Sequence, residues 1–168
     1  RGVLPLMPDA SVLVVGLGNR AITPDAVGPD AIDSVMVTRH LREQLPEHFG
    51  QFRPVAALAA GVLGTTGVES ADMIRALAAH LRPDAIIAVD ALACAELDRL
   101  GRTVQLTDTG ITPGSGVGND RAGLSRDTLG IPVAAIGLPT VIDPGGFSDD
   151  PRAEQMFVTP RDIDTVVR

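Results

Sequence analysis

Two aspartates in this chain stand where carboxylates can do chemistry together. Val12-Leu13-Val14-Val15-Gly16-Leu17-Gly18-Asn19 runs into Thr23-Pro24-Asp25-Ala26-Val27-Gly28, and Ala85-Ile86-Ile87-Ala88-Val89 runs into Asp90-Ala91-Leu92. Short β-branched runs without polar alternation read as strands buried on both faces of a parallel sheet. Ligands of open α/β sheets bind beyond the carboxyl ends of the strands. Asp25 and Asp90 are therefore expected at one working edge. Two carboxylates meeting there can share a proton, because both cannot easily ionise. The ionised member would activate water and the protonated member would polarise a scissile carbonyl. Metal binding is the other chemistry that such a pair offers.

Other candidates are weaker. Gly16-Leu17-Gly18-Asn19 is half of a dinucleotide fingerprint, but the third glycine is missing and Thr23-Pro24 interrupts the helix that should follow. The segment 108–119 is rich in glycine, and its backbone amides could hold a peptide or an oxyanion, with Gly114, Ser115 and Gly116 as the expected substrate-binding residues. Ser115 has no histidine placed to activate it as a nucleophile. His40, His48 and His80 fall on or near expected helices, without metal-ligand spacing to Asp25 or Asp90. Cys94, four residues after Asp90, reads as a small buried residue on a short helix.

The elements that position these residues follow from pattern. Strands are expected over 11–16, 54–58, 85–90, 103–107 and 131–137. A helix is expected from Gly28 to Leu45, with 46–53 as a connection and 61–67 as a Gly/Thr loop. A second helix buries Ala71, Ile74, Leu77, Ala78 and Leu81, and Thr66 with Glu69 has capping-box spacing before it. A short helix should follow the third strand through Leu100, and Thr159-Pro160 opens a last one. The alternation predicts an α/β fold, a three-layer α/β/α domain with a mostly parallel sheet, occupying residues 1–168 as one unit. Residues 144–155 read as a linker or trimmed insertion, and Arg1 in place of Met as the start of a trimmed piece.

Composition narrows the partners. Aromatics are 2% of the 168 residues and the formal net charge is −7, which argues against base stacking and against phosphate-backbone binding. One cysteine excludes an internal disulfide framework and is compatible with a reducing compartment. No apolar run approaches a membrane span. No cofactor is implied.

The segments VVGLGN, TPDAVGP, VTRHL, FRPV, GVLGTTGVE, AVDALA, DTGITPGSGVGN, LGIPVAAIGLPTVID and VTPRDID follow one another in a single order. Together they resemble the germination protease family of spore-forming bacteria, from about Ser11 to Asp164. The resemblance implies an aspartic-type endopeptidase of the spore core that starts the degradation of small acid-soluble spore proteins. It also implies a self-processed zymogen that assembles as a homotetramer, with catalytic aspartates matching Asp25 and Asp90. The fold further resembles the hydrogenase maturation peptidases, in which acidic residues matching these two bind nickel along with a histidine. Thr112 stands where germination proteases commonly have histidine, which weakens a metal reading. No segment of the given sequence matches the family's pro-region, and only about a dozen residues bridge Asp143 and Val158, where the family has a long insertion. The alternatives to an aspartic-type peptidase are a metal-dependent maturation-type peptidase and a catalytically silent domain that binds spore proteins.

Overall fold

The computed structural model describes residues 3–113 and 122–142. The elements run β1 (Val12–Leu17), a 3-10 turn (Thr23–Asp25), α1 (Val27–Asp33), α2 (Arg39–Gln44), α3 (Pro46–Phe49), β2 (Val55–Gly61), α4 (Leu63–Thr66) and α5 (Ser70–Leu81). They continue with β3 (Ala85–Cys94), a 3-10 turn (Leu97–Arg99), β4 (Gln105–Thr107), α6 (Arg126–Leu129) and β5 (Val133–Ile142). The sheet order is β2-β1-β3-β5-β4, parallel except for β4, which pairs antiparallel with β5.

Alternation along the strands divides the core into two layers. Leu13, Val15, Leu17, Ile86, Ala88 and Val133 face the stripe Ala71, Ile74 and Ala78 of α5. Val12, Val14, Val89 and Leu138 cluster with Val27 of α1 on the opposite face. The α/β/α expectation is met, with both sheet faces covered as a parallel sheet requires.

The chain leaves β1 toward β2 on one side and reaches β3 on the other, so the strand order reverses between β1 and β3. A crevice opens at such a switch point, outside the carboxyl ends of the strands. Two glycines let α1 close directly over it. A Cβ on Gly16 would overlap the carbonyl of Gly28, and a Cβ on Gly28 would come within 2.6 Å of the Val89 carbonyl oxygen and 2.5 Å of the Leu17 nitrogen.

Several boundaries differ from the pattern-based expectations. The helix expected over 28–45 is two, because α1 stops at Asp33 and Thr38 bonds the sheet edge instead. Thr38 is buried, its amide donates to the Val55 carbonyl (3.0 Å) and its hydroxyl accepts from the Val55 amide (3.0 Å) and donates to the Arg53 carbonyl. Such side-chain bonds compete with helical ones. The connection over 46–53 contains α3, opened by Pro46, and the loop over 61–67 contains α4, which Gly67 ends at φ 72°. The Thr66 hydroxyl bonds Val62 and Val68 rather than forming a capping box with Glu69, and α5 starts later, at Ser70. A capping box forms instead between Ser125 and Thr128 at α6. The short helix expected after Asp90 is strand: β3 continues to Cys94, and only a 3-10 turn follows. The strand β5 also runs on to Ile142. The expected residues 144–155 and 159–162 lie outside the described residues.

Replacing Gly28 by Ala is expected to cost about 3 kcal/mol or more, because the overlap is with backbone that cannot rotate away. Gly64→Ala, whose Cβ would meet nothing within 4 Å, should leave stability close to wild type. Urea denaturation midpoints of the two variants check this.

Candidate active site

Asp25 closes the 3-10 turn that bridges β1 and α1. Pro24 is the middle residue of that turn, and the buried Thr140 hydroxyl of β5 donates to its carbonyl (2.5 Å). The turn is thus tied across the sheet to a strand two places from β1. The Asn19 amide donates to Oδ2 of Asp25 (2.7 Å), a bond that helps hold the half-buried carboxyl group in place. Gly18 has φ 107°, and a Cβ there would stand 2.8 Å from Oδ1 of Asp25, so this glycine is required by conformation and by space.

Arg20 holds the loop from outside. Its Nη1 bonds Asp33 (2.6 Å) and Asp30 (3.1 Å), and its Nη2 bonds the Pro29 carbonyl (2.8 Å) and Asp33 (3.1 Å). The bond to Asp33 above all raises the Arg20 pKa. The guanidinium is half-exposed, so solvent and salt weaken the ion pair. The fork geometry still fixes the loop against α1.

Asp90 lies inside β3, in register with Gly137 of β5, and is 6% exposed. It was expected at a strand end; four more residues of strand follow it. Gly137 leaves space that Leu92 fills, since a Cβ on Gly137 would overlap the Leu92 side chain. Oδ1 of Asp90 accepts from the Ala91 amide (2.9 Å). Burial, and then the charge of Asp25, push the Asp90 carboxyl up to about 7, while the Ala91 amide opposes the shift. The structure therefore places both aspartates at the β1–β3 switch point, close enough for one charge to act on the other.

The remaining candidates fall elsewhere. The β2 strand begins after α2 and α3, so His40 and His48 stand toward the amino ends of the strands. The helix α5 runs back from the carboxyl end of β2 to the start of β3, which puts His80 at that same remote end. Cys94 is buried at the end of β3 rather than on a helix, and its thiol, pushed up mainly by burial, bonds the Glu96 carbonyl (3.4 Å). Ile111 and Leu124 exchange amide bonds (2.9 and 2.7 Å) and clamp the base of the Gly-rich segment against the α5 side of the core. Gly114, Ser115 and Gly116 lie outside the described residues.

Two positioning residues escape the reading by pattern. Thr140 had a legible signal, a lone hydroxyl in an apolar strand. Arg20 had none, because its partners are ten and thirteen residues away.

Two carboxylates without an imidazole or thiolate are a poor donor set for nickel, which prefers nitrogen and sulfur ligands. All three histidines of the chain stand at the other end of the sheet. Among the described residues no three His, Cys, Asp or Glu side chains gather as a metal cluster. Nickel does not fit these residues.

Because the folded chain holds the Asp90 proton up to about pH 7 and the unfolded chain loses it near 4, the folded state binds more protons between those values. Stability should fall as pH rises from about 4 to 7. Asp90→Asn removes the penalty. Its melting temperature should exceed wild type by several degrees at pH 8 and equal it below pH 4, as read by calorimetry.

The family description "Germination protease" matches residues 4–153. Germination proteases of Bacillus subtilis and Priestia megaterium are 51% and 52% identical over 148 residues, which is 88% of this chain. The chain spans 40% of the length of these relatives. In three dimensions it is similar to the [NiFe] hydrogenase maturation protease HycI of Thermococcus kodakarensis. The TM-score is 0.51 at 18% identity, covering 94% of this chain and 90% of that one. The endopeptidase HycI of Escherichia coli gives a TM-score of 0.50 at 16% identity, covering 94% and 86%. These likenesses confirm the expected fold, and the sequence matches settle the lineage: the chain belongs to the germination protease family.

Proposed function

We propose that this chain carries the peptide-cleaving centre of a spore endopeptidase of aspartic type, which starts the breakdown of small acid-soluble spore proteins in the spore core. The observation that supports it most is a carboxyl group buried in a sheet, its pKa pushed up to about 7, beside a second carboxylate that accepts a backbone amide. The family relationship supports the peptidase class. The homotetramer and the zymogen belong to the same proposal, as does the absence of nucleic-acid and membrane partners. Among the described residues no helix is long and apolar enough to cross a membrane.

In the proposed reaction Asp25 is the base and Asp90 the acid. Water attacks the scissile carbonyl carbon while its proton passes to Asp25, and the Asp90 proton passes to the carbonyl oxygen. A neutral gem-diol results. Asp25 then gives its proton to the leaving nitrogen as the C–N bond breaks, and one diol hydroxyl returns its proton to Asp90 as the carbonyl reforms. Both aspartates end as they began. Their titration belongs to the pair, and the proton resides on Asp90 because that site is the more buried.

Asp25→Asn and Asp90→Asn should each lower kcat on a small acid-soluble spore protein by about 10²–10⁴-fold, the range expected for losing acid–base catalysis. Circular dichroism should show the fold unchanged. Near-wild-type turnover by either variant would reject the pair. Activity should also survive exhaustive chelation; restoration of a chelated enzyme by one transition metal would replace this mechanism with the metal-dependent one.

The acid form of Asp90 is needed, and it is lost as pH rises through about 7. The profile of kcat/KM should therefore fall about tenfold per unit above pH 7. A rate that keeps climbing past pH 8 would contradict the assignment.

A further inference from the structure

The strand β2 lies at one edge of the sheet. Register fixes which of its groups face outward. The Val12 amide donates to the Pro54 carbonyl, and Val12 pairs with Val55, so residues 54, 56, 58 and 60 bond β1. Val55, Ala57 and Ala59 point their N–H and C=O groups away from the sheet. Thr38 answers Val55 with its amide and its hydroxyl. Among the described residues nothing bonds the outward groups of Ala57 or Ala59.

Natural edge strands are usually blunted by charge or proline. The strand Val55-Ala-Ala-Leu-Ala-Ala-Gly61 carries neither. Beside it an open groove of about 320 Å³ is lined by Val37, Arg39, His40 and Glu43 with Val55, Ala56 and Ala57. An edge strand with unanswered backbone groups beside a helix is the geometry in which extended peptides add to a sheet. Thr38 already occupies the first rung, and the vacant rungs continue its line toward the carboxyl end of β2. That end meets the candidate active site. Gly61 pairs with Leu17, the last residue of β1 before the Gly18–Asn19 loop that holds Asp25.

We propose that the β2 edge docks an extended stretch of the polypeptide substrate, remote from the bond that is cut. It pairs with Ala57 and Ala59 and sets an uncharged side chain in the groove beside α2. This rests on the peptidase reading above. A strand added to β2 lies about three strand spacings, on the order of 14 Å, from β3. At about 3.3 Å per residue, about four extended residues separate the docked segment from the cleaved bond. The edge therefore favours long substrates over short ones.

Proline tests the proposal without disturbing the sheet. Ala57→Pro and Ala59→Pro each remove only an outward N–H, and proline is tolerated on edge strands in that orientation. With a purified small acid-soluble spore protein as substrate, each variant should raise KM about tenfold and leave kcat unchanged. A six-residue peptide spanning only the cleaved bond should show the wild-type KM in both. Ala57→Ser keeps the backbone donor and should not reproduce the tenfold rise in KM of Ala57→Pro. Hydrogen exchange gives a readout that needs no turnover: adding the spore protein to Asp90→Asn should slow exchange at the amides of Ala57 and Ala59. Unchanged KM in folded proline variants overturns the proposal, and so do amides that stay unprotected at saturating substrate. If a proline variant does not fold, the exchange measurement decides. If the aspartate variants keep full activity, the catalytic reading fails, while protection at Ala57 and Ala59 still decides the edge.

Discussion

A carboxyl group in the middle of a buried parallel strand is the constraint around which this site is organised. Ionised and alone, Asp90 would cost more than a domain of this size can spare. It persists because the protein lets it keep its proton to about pH 7, and because the Ala91 amide supplies one bond to its oxygen. The second condition is a neighbour whose charge makes that proton harder to lose. Asp25 is that neighbour, and the fold delivers it by a separate route, through the turn after β1. The charge of one carboxylate tunes the acidity of the other, which is how a single site can hold an acid and a base made of the same chemical group.

Precision in the pair depends on parts that carry no chemistry. Gly16 and Gly28 allow α1 to sit directly on the ends of β1 and β3, and Gly18 leaves space beside the Asp25 carboxylate. Thr140 pins the Pro24 carbonyl from β5, and Arg20 clasps Pro29, Asp30 and Asp33 from the far side of the loop. The turn bearing Asp25 is therefore restrained from β1, β5 and α1 at once. A loop held at one point would let the carboxylate wander by an ångström or more, which the proposed proton transfer would not tolerate.

Much of this was legible in the sequence, and the reasons it was not entirely so are local. The apolar runs at 12–17 and 85–89 declared buried parallel strands, so the α/β fold and the placement of both aspartates followed. The end of β3 did not. Asp90 looked like a terminator because a charge interrupts an apolar run, yet a protonated carboxyl opposite Gly137 fits within the ladder and the strand continues to Cys94. The long first helix failed for the opposite reason. Its periodicity was adequate, but Thr38 found better partners at the edge of β2 than a helix could offer. Capping chemistry was misplaced in the same way: Thr66 satisfied its own turn, and Ser125 with Thr128 formed the box that spacing had assigned elsewhere.

The likeness to the hydrogenase maturation peptidases separates what a scaffold passes on from what it does not. At 16–18% identity the shared property is the fold, which in this chain has one switch point with a crevice outside the strand ends. Such a crevice can receive carboxylates from two loops whatever the chemistry. In this chain the three histidines stand on α2, α3 and the far end of α5, toward the amino ends of the strands. Two oxygen donors left there without imidazole have little hold on a soft or borderline metal. In the proposed mechanism, burial and mutual repulsion let them share a proton. On the proposed mechanism, proton sharing needs two acids, one of them buried, and no imidazole.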